Sequence, residues 1–204
     1  MSDVLTERLN LILPKITSDA FLSGSGIGNE LAFYIFDYPP EAELRVREHL
    51  RFLLDHLPKQ RPGLRVTHLN LFDFMLEYLQ SRHLLEKAIA MQQERGDQEL
   101  KRALAGPLQA DKLAPLFGQA VQPEQHDVVL VSGVGSVYPL VRTHTLLNNL
   151  HSIVGKTPLV MFYPGRYDGL TLRLFGKLRV SSGPGTRDQG RDREPYYRAF
   201  RLVP

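Results

Sequence analysis

Val128-Val129-Leu130-Val131-Ser132-Gly133-Val134-Gly135-Ser136 and Pro158-Leu159-Val160-Met161-Phe162-Tyr163-Pro164-Gly165-Arg166-Tyr167-Asp168-Gly169 decide how this chain folds. Each begins as an unbroken apolar run rather than an alternating one, which is the pattern of a strand covered on both faces. Between them, Leu140, Leu147, Leu150 and Val154 fall on one face of a helix, and Gly155 is suited to stop it. Strand, tight turn, helix and strand together predict a parallel βαβ unit.

Working outward, residues 31–36 read as another buried strand. Pro39-Pro40 with Glu41 and Glu43 then starts a helix, because proline suits the first turn and carboxylates favour the positive end of the helix dipole. Val46, Leu50, Leu53, Leu54 and Leu57 form its core stripe. Pro58 and the Pro62-Gly63 turn end it, and a strand over 64–69 completes a first βαβ unit. Ahead of these, Leu5, Leu9, Ile12, Leu13 and Ile16 recur at helical spacing and predict one opening amphipathic helix, followed by a loop holding Gly24, Gly26 and Gly28. Residues 72–117 carry helical stripes broken at Gly96 and at Gly106-Pro107, a helical insertion between the two units.

After Gly169 short strands are expected over 170–175 and 178–180. A polar, arginine-rich loop follows over 181–194, and a last strand over 196–203. Together residues 170–204 read as a C-terminal β-hairpin with a mobile basic loop. The expectation is a single α/β domain over residues 1–204. Its form would be a Rossmann-like or P-loop-like three-layer sandwich with a mostly parallel sheet, the helical insertion and the C-terminal hairpin.

Composition narrows the chemistry. The absence of cysteine from all 204 residues excludes disulfides, thiol catalysis and thiolate metal sites at once. No apolar run approaches the roughly 20 residues of a membrane helix, so a soluble protein without membrane contact is expected. The first residues mix acidic and apolar side chains without a basic-then-apolar leader, which predicts a cytoplasmic location. The net charge of +3 is mild, and its excess is local to the arginines after Gly169.

Several motifs invite a nucleotide, and each lacks a part. Ser132-Gly133-Val134-Gly135-Ser136 sits where a phosphate loop belongs, yet it runs into Val137-Tyr138-Pro139 and supplies no lysine for a triphosphate, so it reads as a tight strand-to-helix turn. Gly155-Lys156-Thr157 precedes a strand where a helix would have to begin. Gly24, Gly26 and Gly28 precede a strand rather than follow one. Phe33-Tyr34-Ile35-Phe36-Asp37 has the outline of a strand ending in a magnesium-binding carboxylate, but without a phosphate loop Asp37 is better read as a cap for the helix after Pro39. The histidines, His49, His56, His68, His83, His126, His144 and His151, form no metal-binding cluster by spacing. Neither Ser132 nor Ser136 lies in a nucleophile elbow. No cofactor, no metal and no catalytic residue is expected, and the chain reads as a non-enzyme.

The densest functional pattern is Tyr163-Pro164-Gly165-Arg166-Tyr167-Asp168-Gly169, read as a turn at the carboxyl end of a strand. Tyrosine and arginine are enriched where proteins meet, so Tyr163, Arg166, Tyr167, Asp168 and Arg173 are the candidate partner-binding residues. An alternative is contact with nucleic acid through the basic hairpin, using Arg187, Arg191 and Arg193 beside Tyr196, Tyr197 and Phe200. A degenerate nucleotide-binding protein is the remaining alternative.

Leu159 to Gly169, followed by Leu172-Arg173-Leu174-Phe175-Gly176 and the closing Tyr196-Tyr197-Arg198-Ala199-Phe200-Arg201-Leu202, resembles the BrxB-type family of BREX bacteriophage-exclusion systems. The Ser132 to Ser136 loop and the strand end from Phe33 to Pro39 fit it too. The resemblance covers most of the chain. It implies a bacterial cytoplasmic protein of antiviral defence that works with other BREX components, especially the PglZ-type protein of the alkaline-phosphatase superfamily. It implies no catalytic residue.

Overall fold

The computed structural model describes residues 3–23, 32–175 and 199–204. Five of the strands lie side by side in the order β2 (Val66–Asn70), β3 (Val128–Ser132), β4 (Leu159–Tyr167), β1 (Phe33–Tyr38) and β6 (Ala199–Arg201), and neighbours along this path are parallel. A sixth, β5 (Leu172–Leu174), folds back antiparallel on the end of β4.

Every residue of β1 and β3 is buried, which is why both read as continuous apolar runs. Alternation survives as a choice of face. Phe33, Ile35, Val129, Val131, Leu159 and Met161 point into one core, and Tyr34, Phe36, Val128, Leu130, Val160 and Phe162 into the other.

Helices α1 (Val4–Asn10), α2 (Ile12–Ile16), α3 (Asp19–Leu22) and α4 (Glu43–Gln60) close the second core with Leu9, Ile12, Ile16, Phe21, Val46, Leu50, Leu53 and Leu57. The first is closed by α5 (Leu71–Ser81), α6 (Leu85–Ala105), α7 (Ala110–Val121), α8 (Val134–Val137) and α9 (Thr143–Val154). The result is the expected three-layer α/β sandwich. The helical stretch expected over 72–117 corresponds to α5, α6 and α7; α5 and α7 lie on the sheet, while α6 kinks at Gly96 and buries only Leu104.

Three expectations change in detail. The single opening helix is three short ones, with Pro14 inside α2, where its ring and missing N–H interrupt a continuous helix, and with Ser18 capping α3 through the Phe21 amide. Residues 163–167 are not a turn but the end of β4, and the turn comes at Asp168, whose carboxylate accepts from the Leu170 and Thr171 amides. The last strand, expected as the second arm of a hairpin, is described only at its end. Its described end, Ala199–Arg201, lies parallel to β1 with Phe33 opposite Ala199. There it covers the free edge of β1, and Leu202 and Val203 enter the second core. Among the described residues the antiparallel hairpin is β4–β5.

Candidate functional site

The carboxyl ends of β1 and β4 are the place where sheets of this kind hold ligands. Asp37 ends β1 there, with 7% of its surface exposed. It does not cap the following helix. Its carboxylate accepts from the Arg8 guanidinium at 2.8 Å and from the Tyr167 amide at 3.0 Å, and Arg201 stands 3.7 Å away. Arg8 also donates to the Asp37 carbonyl at 2.6 Å and to the Pro204 carbonyl at 2.8 Å. Burial explains the difference: a carboxylate taken out of water needs opposite charge, and α1 brings it from outside the strand–helix unit.

Tyr167 completes this knot. Its hydroxyl is 2.6 Å from the Ala199 carbonyl, to which it donates, and its own carbonyl accepts from Arg201. One residue thereby ties β4 to both β1 and β6. Burial pushes its phenol up from the ordinary value, as it does that of Tyr163. Both rings are in the core, at 3% exposure for Tyr163 and 1% for Tyr167. Of the five candidate partner-binding residues, only Arg166, Asp168 and Arg173 present side chains at the surface.

These three share the β4–β5 hairpin. Arg166 stands directly opposite Arg173 across the ladder. Asp168 pairs with Arg173 at 3.1 Å and also accepts from the Thr171 hydroxyl at 2.7 Å. The Thr171 hydroxyl and amide, then the Leu170 amide and the Arg173 charge, hold the Asp168 carboxyl down to about 2. Gly165 permits the close pairing, because a Cβ there would lie 2.2 Å from the Arg173 carbonyl oxygen.

The glycine loop is occupied from within. Gly133 is left-handed at φ +74°, and the Asn70 side chain fills the position that a Cβ would take. Over Gly135 lie the ring of Pro164, 2.9 Å from where a Cβ would be, and that of Phe175, at 3.1 Å. The following helix, α8, has four residues. Gly155 caps the C-terminus of α9, and Thr157 bonds to the Pro123 carbonyl, so the 155–157 segment ends a helix rather than cradling a phosphate.

Beside this loop, Ser136 is 3.4 Å from Arg47, which pairs with Glu43, and Glu43 accepts the Tyr38 hydroxyl at 2.6 Å. Ser132 meets His68 at 2.8 Å, and burial lowers the imidazole's proton affinity. Tyr138, at 55% exposure, stands edge-on to Phe175.

No group of three His, Asp or Glu side chains among the described residues is placed to hold a metal ion. No helix among them is long and apolar enough to cross a membrane. Arg187, Arg191, Arg193, Tyr196, Tyr197, the 178–180 strand and the Gly24 to Gly28 loop lie outside the described residues.

Residues 67–202 match the family described as BREX protein BrxB. The chain belongs to the BrxB family. A BREX protein BrxB from Bacillus cereus is 41% identical over 203 residues, spanning 98% of this chain and 97% of the relative. One from Escherichia coli is 42% identical over 201 residues, spanning 98% and 92%. No solved structure matches the chain. The matched region contains the glycine loop, the β4–β5 hairpin and Arg201, whereas Asp37 and Arg8 precede it. The matches to the two relatives span 98% of this chain and so extend over that stretch as well.

Sequence reasoning missed Arg8, Arg201 and Tyr138. Arg8 is one of several polar positions on a short helix, and no local pattern marks it as the partner of a residue 29 positions later. Asp37 carried the available signal: a carboxylate ending an otherwise apolar buried strand needs a cation from somewhere.

Proposed function

We propose that this BREX protein is a non-catalytic, partner-binding subunit of a cytoplasmic bacterial phage-defence complex, and that it docks the PglZ-type component. The observation that carries the reading is the contrast at the sheet's carboxyl edge. The volume that a nucleotide-binding sandwich keeps open over its glycine loop is taken by Asn70, Pro164 and Phe175. Next to it, a braced hairpin projects Arg166, Asp168 and Arg173, with Leu170 and Tyr138 each 55% exposed. Arginine and tyrosine on a rigid support are the residues around which protein interfaces concentrate their binding energy.

Mixing the chain with the PglZ-type protein at micromolar concentration and following size-exclusion elution tests the reading; co-migration is expected, and separate elution counts heavily against it. Thermal unfolding with millimolar ATP and magnesium separates the nucleotide alternative. A ligand preferring the native state raises the melting temperature, so an unmoved transition is expected and a rise of several degrees favours the nucleotide-binding alternative.

A further inference from the structure

Arg166 and Arg173 are Cα partners across an antiparallel pair, and both side chains are exposed. Like charges directly opposite each other on one face of a ladder are destabilising, so this placement is not explained by the stability of the hairpin. Arg173 is relieved by Asp168 at 3.1 Å, whereas Arg166 has no ion-pair partner among the described residues.

Arg166 also borders a depression of about 470 Å³ lined by Val4, Glu7, Arg8, Leu11, Asp37, Arg201 and Pro204. Three guanidiniums and two carboxylates therefore line one concavity; Asp37 is already engaged by Arg8 and the Tyr167 amide, and Glu7 is likewise not free. Its rim carries Val4 at 73% and Leu11 at 46% exposure. Small-molecule sites enclose most of their ligand in largely apolar walls, and an open, arginine-lined depression with an apolar lip does not.

We propose that this depression, with the adjoining Arg166–Arg173 pair, receives an acidic segment of the protein partner. Aspartate or glutamate side chains would be bound by Arg166 and Arg173, and a neighbouring apolar side chain would lie against Val4 and Leu11. Guanidinium groups suit this task because their planar forks bind carboxylates through two parallel hydrogen bonds. A carboxylate between Arg166 and Arg173 also relieves the repulsion that the free hairpin carries, which gives the bound state an advantage built into the fold. This inference rests on the partner-binding reading and adds the chemistry of what is bound.

The test uses R166E and the R166E/R173E double variant, with labelled poly-L-glutamate and the PglZ-type protein as separate probes and a duplex DNA as competitor. Arg8 and Arg201 are left intact because they hold Asp37. R166E places a carboxylate opposite Arg173, so its melting temperature should equal or exceed that of the wild type. Its affinity for poly-L-glutamate and for the PglZ-type protein should fall roughly tenfold, the loss of one charge-assisted hydrogen bond, and wild-type binding should weaken with salt. Full PglZ-type binding by a folded double variant overturns the acidic-segment inference and leaves partner docking standing. Poly-L-glutamate binding lost in the double variant, with no PglZ-type binding even by the wild type, supports the site and removes that partner. Displacement of poly-L-glutamate by duplex DNA at lower concentration than by unlabelled poly-L-glutamate overturns the choice of a protein segment.

Discussion

Asp37 shows how one buried carboxylate decides the local architecture. It is nearly sealed from water, and Arg8, Arg201 and the Tyr167 amide converge on it from three different elements. Removing it leaves the Arg8 guanidinium, whose side chain is 17% exposed, without its charge partner, and the Tyr167 N–H without an acceptor. Breaking such a pair from one side costs about 3 kcal/mol, because the remaining charge stays buried. Asp37→Ala is therefore expected to lower unfolding free energy by about that amount in urea denaturation, and a loss below about 1 kcal/mol would mean that the knot is solvated. The sequence showed a carboxylate where apolar residues end, but assigned it to a helix cap; the cation that claims it comes from α1, beyond any local pattern. Tyr163 and Tyr167 stood out in the sequence, but it did not show that both rings are interior or that Tyr167 ties the hairpin to β1 and β6.

At the scale of elements, the β4–β5 hairpin depends on Gly165. A Cβ there meets the Arg173 carbonyl oxygen at 2.2 Å and the Leu174 Cα at 3.0 Å, both backbone atoms of the facing strand. Gly165→Ala should cost about 2 kcal/mol by overpacking, or else splay the hairpin and expose its amides to rapid hydrogen exchange. Unchanged stability together with unchanged exchange would contradict this geometry.

Helix α4 makes a second prediction through His49, which lies against α1. Burial lowers the proton affinity of the imidazole, a hydrogen bond with the Leu9 backbone opposes this, and Nε2 has no hydrogen-bond partner among the described residues. A base with a lowered folded-state pKa binds its proton more readily when unfolded. Its contribution is thus present above the ordinary histidine range and lost as the pH falls through about 6.5. Melting temperature should decline from pH 7.5 to 5.5, and His49→Gln should flatten that slope; identical slopes would exclude His49 as the group responsible. Helical and strand periodicities were readable for most elements because each needs only its own neighbours. The opening segment was not, since Pro14 divides a stripe that periodicity alone runs together.

For the whole molecule, the decisive feature is the return of the chain end to the sheet. Ala199–Arg201 closes the free edge of β1, Leu202 donates its amide to the Ile35 carbonyl at 2.9 Å, and Leu202 and Val203 are 2% and 4% exposed. Burying two such side chains contributes roughly 4 kcal/mol, a large share of the 5–15 kcal/mol that keeps a domain folded. Deleting residues 199–204 should lower the melting temperature by about 10 °C or more and make β1 sensitive to limited proteolysis. A truncated chain melting like the full one would show that this strand is dispensable.

The amino-acid order by itself determined the α/β class, the two parallel units and the missing lysine of the glycine loop, since each is written in the periodicity or residue type of a short window. Only the tertiary structure decided that β1 lies between β4 and β6, that Arg8 and Arg201 converge on Asp37, and that Pro164 and Phe175 fill the space above Gly135. Those contacts join residues far apart in the chain, and which distant groups meet depends on how whole layers bury their apolar faces. No local propensity encodes that arrangement.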